Sequence, residues 1–145
     1  MNKKTVKDVD VTGKTVLLRV DYNVPFEPRS LEVLDDSRLV ASVPTIQYLI
    51  ERGCKLVLCS HLGRPKGNIV DDLRMQPIAR KLSELLNLKI YEAPGCIGED
   101  TQAMVNSIPK PGIVLLENVR FYPEEEVNDP DFAMSLASLA EIYVN

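Results

Sequence analysis

One histidine, three cysteines without CxxC spacing and no apolar run of membrane-spanning length narrow what this 145-residue chain can be. The cysteine pattern argues against a zinc site, and Cys54, Cys59 and Cys96 read as reduced, mostly buried thiols. The opening "MNKKTVKDVDV" has lysines but no apolar core behind them, so it does not read as a secretory leader, and a cytoplasmic protein with no membrane partner is expected. A basic excess is also missing. The net charge of −4 argues against a nucleic-acid partner, because such domains release counterions from phosphates with clustered cations. Neither GxxxxGK[ST] nor a GxGxxG after a strand occurs, so nucleotide binding lacks its usual sequence support. No Gly/Ser-rich linker divides the chain, and its length suits one domain.

What is present is a globular composition, 45% hydrophobic and 26% charged, arranged as alternating strands and helices. Strand-type runs are Lys14 to Val20, Lys55 to Ser60, Leu88 to Tyr91, Gly112 to Glu117 and Glu141 to Asn145. Helical spacing between the first two predicts a buried face of Leu39, Val40, Val43, Ile46, Tyr48, Leu49 and Ile50. Asp35, Asp36 or Ser37 would cap it, Gly53 would end it, and Pro44 would kink it or mark its effective first turn. Further helices are expected over Met75 to Leu86, Glu99 to Ser107 and Asp129 to Ala140, the last with Asp129 as N-cap and Pro130 at its first position. The alternation implies right-handed crossovers and a Rossmann-like three-layer α/β/α domain with a mostly parallel sheet. An apolar strand at the very end lacks a covering helix, so Asn145 reads as a truncation point and the domain as incomplete.

In such sheets ligands bind beyond the carboxyl ends of the strands. Three exits carry polar groups: "RVDYNVP" (Arg19 to Pro25), "SHLGRPKG" (Ser60 to Gly67) and "ENVRFYPEEE" (Glu117 to Glu126). Arg64 and Arg120 offer guanidinium forks that suit phosphate or carboxylate. His61 can donate from a ring nitrogen, Gly63 permits close backbone approach, and Asp21 and Asn23 can accept from hydroxyls. Arg38 falls in the first turn of the helix after strand one, near its positive end. Together they imply a pocket for a small, phosphorylated, hydroxylated carboxylic acid. Taken singly, Arg19 is expected to pair with a neighbouring acid, Lys66 to be solvated, and Glu124 to Glu126 to form a solvated acidic turn.

The segments "RVDYNVP", "DDSR", "PTIQYL", "SHLGRPKG", "CIGE", "LLENVRFYPEEE", "NDPDFA" and "LASLAEIYVN" resemble the phosphoglycerate kinase family in order and approximate spacing, over essentially the whole chain. The resemblance implies a glycolytic kinase that moves the acyl phosphate of 1,3-bisphosphoglycerate to ADP, reversibly. It also implies that residues 1–145 are most of the N-terminal domain, which binds 3-phosphoglycerate or 1,3-bisphosphoglycerate. Mg-ATP or Mg-ADP would belong to a C-terminal nucleotide-binding domain that these residues do not include. By motif, Asp21 and Asn23 resemble the contacts to the substrate's hydroxyl and carboxylate end. His61, Arg64 and Arg120 resemble the cluster holding the nontransferred phosphate, with backbone at Leu62 and Gly63 shaping the loop. Arg38 resembles the family's catalytic arginine.

Two departures qualify the resemblance. The loop between Asn23 and Arg38 is slightly longer than usual and lacks a frequent glycine, with "EPRS" in its turn. The family's next segment, beginning "DAFG", is absent along with the nucleotide domain. The chain alone is therefore expected to be inactive and, through its exposed edge, to self-associate, whereas the intact enzyme is expected to be a monomer. A freestanding anion-binding or regulatory module is the competing reading. A phosphosugar isomerase using His61 as base is weaker, for want of an acid/base partner beside it.

Overall fold

The computed structural model describes residues 3–145; Met1 and Asn2, which open the stretch read as lacking a leader, lie outside the described residues. Among the described residues five strands form one sheet: β1 (Thr15–Arg19), β2 (Lys55–Cys59), β3 (Ile90–Glu92), β4 (Gly112–Leu115) and β5 (Ile142–Val144). Their spatial order is β3-β4-β2-β1-β5, and every pairing is parallel. Between them run α1 (Ser37–Ile50), α2 (Gln76–Leu86), α3 (Glu99–Ser107), a single turn α4 (Pro123–Glu126) and α5 (Pro130–Ala137).

Alternate strand residues face opposite ways, which divides the interior into two apolar layers. Val16, Leu18, Leu56, Leu58, Ile113 and Leu115 pack with Leu39, Ile46 and Leu49 of α1 and with Ile78 and Leu82 of α2. Leu17, Val57 and Val114 pack on the other face with Val105 of α3 and Phe132 of α5. The expected three-layer α/β/α arrangement is therefore the observed one. Because both faces of β2 are covered, all five of its residues are buried, and no polar position follows Lys55 in the run "KLVLC".

Helix ends follow local chemistry. The Asp129 Oδ1 accepts from the Phe132 N–H at 2.8 Å, and Pro130 occupies the first turn of α5, where no intrahelical donor is needed. After α1 the Gly53 N–H reaches the Ile50 carbonyl and the Cys54 N–H the Leu49 carbonyl, with Gly53 at φ 72°. This is a Schellman closure, and it turns the chain directly into β2. Lys55, buried at the start of β2, donates from Nζ to the Val105 carbonyl at 2.7 Å and so caps the last turn of α3.

Several expectations are corrected. Val40 is 48% exposed and does not belong to the buried face of α1. Pro44 lies in the middle of α1 and does not mark its first turn, and the Val40 carbonyl that it deprives of a donor lies on the solvent side, where water can replace the bond. The Asp36 side chain makes no capping bond and pairs with Lys81 at 3.3 Å; the neighbouring Asp35 Oδ1 accepts from the Ser37 N–H instead. The third strand begins two residues later than the pattern suggests, since Leu88 is exposed and its carbonyl accepts from Ser83 Oγ. The last helix ends at Ala137, where the chain turns back toward β5.

Candidate functional site

The parallel order places the exits of β1, β2 and β4 side by side along one edge of the sheet, with β2 in the middle. Backbone bonds continue the ladder past the strands: the Val20 N–H donates to the Cys59 carbonyl, Leu116 to Leu58 and Val119 to Ser60. The Tyr22 N–H donates to Ser60 Oγ at 2.9 Å, and the Tyr22 hydroxyl lies 2.7 Å from Ser42 Oγ of α1. Burial pushes that phenol up to about 12, so it is neutral and serves as a fastener.

Asp21, Asn23, Arg38 and Gly63 are brought together. Arg38 donates from Nη1 to Asp21 Oδ1 at 2.7 Å and to the Asn23 carbonyl at 3.0 Å. Asn23 Oδ1 accepts from the Gly63 N–H at 3.0 Å, which joins the first exit to the second. Gly63 has φ 62°, a left-handed conformation that favours glycine, and a Cβ there would stand 2.7 Å from a Leu73 methyl and push that side chain aside. The Arg38–Asp21 pair is half-exposed, with side-chain accessibilities of 50% and 60%. Pairs of this kind contribute roughly 0–1 kcal/mol, so an incoming anion can readily displace the carboxylate from Arg38.

Leu62 differs from its neighbours. Its side chain is buried in the first core layer, and both its N–H and its carbonyl are bound by Asn118. Arg64 and Lys66 are exposed. His61 is half-buried, and its ring is held below the ordinary value of 6.5, first by desolvation and next by the charge of Arg120, against an opposing pull from Asp21. Neutral imidazole is thus favoured beside the arginines.

The acidic turn is where the structure departs most from the sequence reading. Glu125 is not solvated: its side chain is 13% exposed and holds two arginines. Arg19 Nη2 donates to Oε1 at 3.0 Å, while Arg120 Nε stands 3.4 Å from Oε2 in an ion pair without hydrogen-bond alignment. Arg19 therefore pairs with an acid as expected, and the acid comes from the third exit. Glu117 was also missed. Its Oε1 accepts from the N–H groups of Met75 and Asn118, and its Oε2 faces Arg74 Nη1 at 3.2 Å, tying the β4 exit to the start of α2.

The long loop after Asn23 is ordered as a small hairpin. Phe26 bridges Val33, and the Glu27 carboxylate accepts from the N–H groups of Arg29 and Ser30. In place of a glycine, Leu31 takes φ 56°.

All three thiols are buried and free, and burial pushes Cys59 up to about 11 and Cys96 well above its usual range. Among the described residues no group of three or more His, Cys, Asp or Glu side chains could hold a metal ion.

The chain is thus a Rossmann-like parallel α/β domain whose three central strand exits carry Asp21, His61, Arg64 and Arg120 on neighbouring loops. The phosphoglycerate kinase family model matches residues 6–145. A phosphoglycerate kinase of Pelotomaculum thermopropionicum is 52% identical over 145 residues, which is 100% of this chain and 36% of that protein. The cytosolic phosphoglycerate kinase of Triticum aestivum is 50% identical over 141 residues, 97% of this chain and 35% of its own length. The crystal structure of phosphoglycerate kinase from Pyrococcus horikoshii superposes with a TM-score of 0.84 at 31% identity, covering 97% of this chain and 35% of that one. The chain belongs to the phosphoglycerate kinase family, and it spans roughly a third of the length of the relatives it matches. No helix among the described residues is long and apolar enough to cross a membrane.

Proposed function

We propose that this chain is the larger part of an N-terminal domain that binds 3-phosphoglycerate or 1,3-bisphosphoglycerate, in an enzyme of cytosolic glycolysis. The intact protein transfers a phosphoryl group reversibly between 1,3-bisphosphoglycerate and ADP. The nucleotide and its magnesium belong to a second domain. The observation that carries this reading is the linkage of Arg38, Asp21, Asn23 and Gly63 across two neighbouring strand exits, with Arg120 rooted at the third.

In this reading His61, Arg64 and Arg120 hold the phosphate that is not transferred, and Asp21 and Asn23 meet the hydroxyl and carboxylate end. Leu62 and Gly63 act through their backbone as loop-shapers. Phosphoryl transfer asks mainly for alignment and charge stabilisation. Arg38, held by an exposed carboxylate and the Asn23 carbonyl, can leave that weak pairing to follow negative charge onto the phosphoryl group in flight. Turnover also requires the nucleotide on its own domain and closure that excludes water, so the isolated chain binds but does not catalyse.

Calorimetric titration with 3-phosphoglycerate tests the assignment. Arg64→Ala and Arg120→Ala should each weaken binding by about tenfold or more through loss of a guanidinium contact. Unchanged affinity in both would remove the phosphate site from these loops. A coupled assay on the isolated chain should give no turnover, and Arg38-dependent turnover would contradict the need for a second domain.

A further inference from the structure

The side chain of Asn118 is fully buried, and its hydrogen-bonding capacity is spent on backbone groups. Oδ1 accepts from the Leu62 N–H at 3.2 Å and from the Arg120 N–H at 3.1 Å. Nδ2 donates to the Leu62 carbonyl at 2.8 Å and to the Leu73 carbonyl at 3.0 Å. A primary amide has two donor hydrogens and two acceptor lone pairs, so these four bonds saturate it. The reverse orientation would set its hydrogens against two N–H groups, so the network admits only one.

The partners are placed tellingly. Leu62, bound at both its polar backbone groups, lies between His61 and the Gly63–Arg64 pair. Arg120 is fixed through its own N–H. The strand ladder cannot do this work, because its last bond along this edge is from the Val119 N–H to the Ser60 carbonyl, before the loop begins. Beyond that point the loop is tied back by the Gly63 N–H to Asn23 and by the Gly67 N–H to the Arg120 carbonyl. The Asn118 amide holds Leu62 just before those ties and Leu73 just beyond them, and so brackets the loop.

We propose that Asn118 is a positioning residue, whose buried amide sets the separation between the His61–Arg64 loop and Arg120 and thereby the shape of the phosphate site. The inference rests on the reading of that site given above. A displacement of about 1 Å in such groups is enough to cost orders of magnitude in function, which makes a single shared amide an effective determinant.

The test uses the whole 145-residue chain and 3-phosphoglycerate as probe. Asn118→Ala is compared with Val105→Ala, a cavity in the second core layer by the amino end of β2, which lowers stability without touching the strand exits. Asn118→Ala should weaken binding by at least about tenfold and Val105→Ala by less than about twofold, although both melt earlier. A folded Asn118→Ala chain that binds as the unaltered one does would overturn the proposal.

Amide hydrogen exchange on the unaltered chain gives a second answer if Asn118→Ala does not fold. Saturating ligand should slow exchange at Leu62 and Arg120 together, since one oxygen holds both, and protection of one without the other would contradict the inference. If the unaltered chain binds no 3-phosphoglycerate, the site reading fails and the inference with it. If it binds and Asn118→Ala binds equally well, only the inference fails.

Discussion

His61 illustrates how a residue's surroundings set its charge. Its folded pKa lies below the unfolded value of 6.5, so between the two the unfolded chain binds more protons than the folded one. The stability this contributes is present above the unfolded value and is lost as pH falls through the folded one. An anion beside Arg120 cancels the repulsion that helps depress the ring, so saturating 3-phosphoglycerate should raise the His61 pKa. NMR titration of the ring protons with and without ligand measures this, and a downward shift would contradict the assignment. The thiols make a separate prediction at this scale. With Cys59 pushed up to about 11 and Cys96 well above its usual range, neither supplies thiolate near neutrality. Both should resist iodoacetamide until the chain unfolds, and rapid labelling of Cys59 in the native state would show the core to be open there.

The helix ends were legible because capping is local. "NDP" names its own N-cap, and Asp129 is held as the pattern implied. Gly53 was legible for the same reason: no Cβ contact lies within 4 Å, so its requirement is conformational. Asp129→Ala should cost about 1 kcal/mol through loss of the cap, and Gly53→Ala about the same through left-handed strain. Urea denaturation measures both as a lower midpoint at unchanged m-value. The roles of Glu117, Asn118 and Glu125 were not legible. Each partners residues from elements far away in sequence, and "ENVRFYPEEE" read alone offers charge without saying what it faces. Glu125 looked like one acid among three, yet it alone is turned inward between Arg19 and Arg120. The turn at Leu31 was hidden for the opposite reason, since it adopts a glycine-like φ without a glycine.

At the scale of the molecule, the parallel order turns three separated motifs into one edge, and alternation alone was enough to anticipate that edge. The sheet's two borders differ. β3 is short, preceded by Lys89 and ending on Glu92, whereas β5 pairs only with β1 among the described strands and leaves Tyr143 60% exposed. Beside it a groove of about 510 Å³ is lined by Val6, Val9, Val11, Ile142 and Tyr143, among others. Apolar edges of this kind favour pairing between chains. Sedimentation should therefore detect concentration-dependent association, and a strictly monomeric chain would contradict it.

The most direct test of the account is an NMR titration of the chain with 3-phosphoglycerate, following the backbone amides and the His61 ring. Saturable shifts confined to the exits of β1, β2 and β4 and the first turn of α1, with the ring gaining a proton, are the predicted result. No response at millimolar ligand, or shifts centred away from that edge, would contradict the claim that these three loops form a phosphoglycerate site.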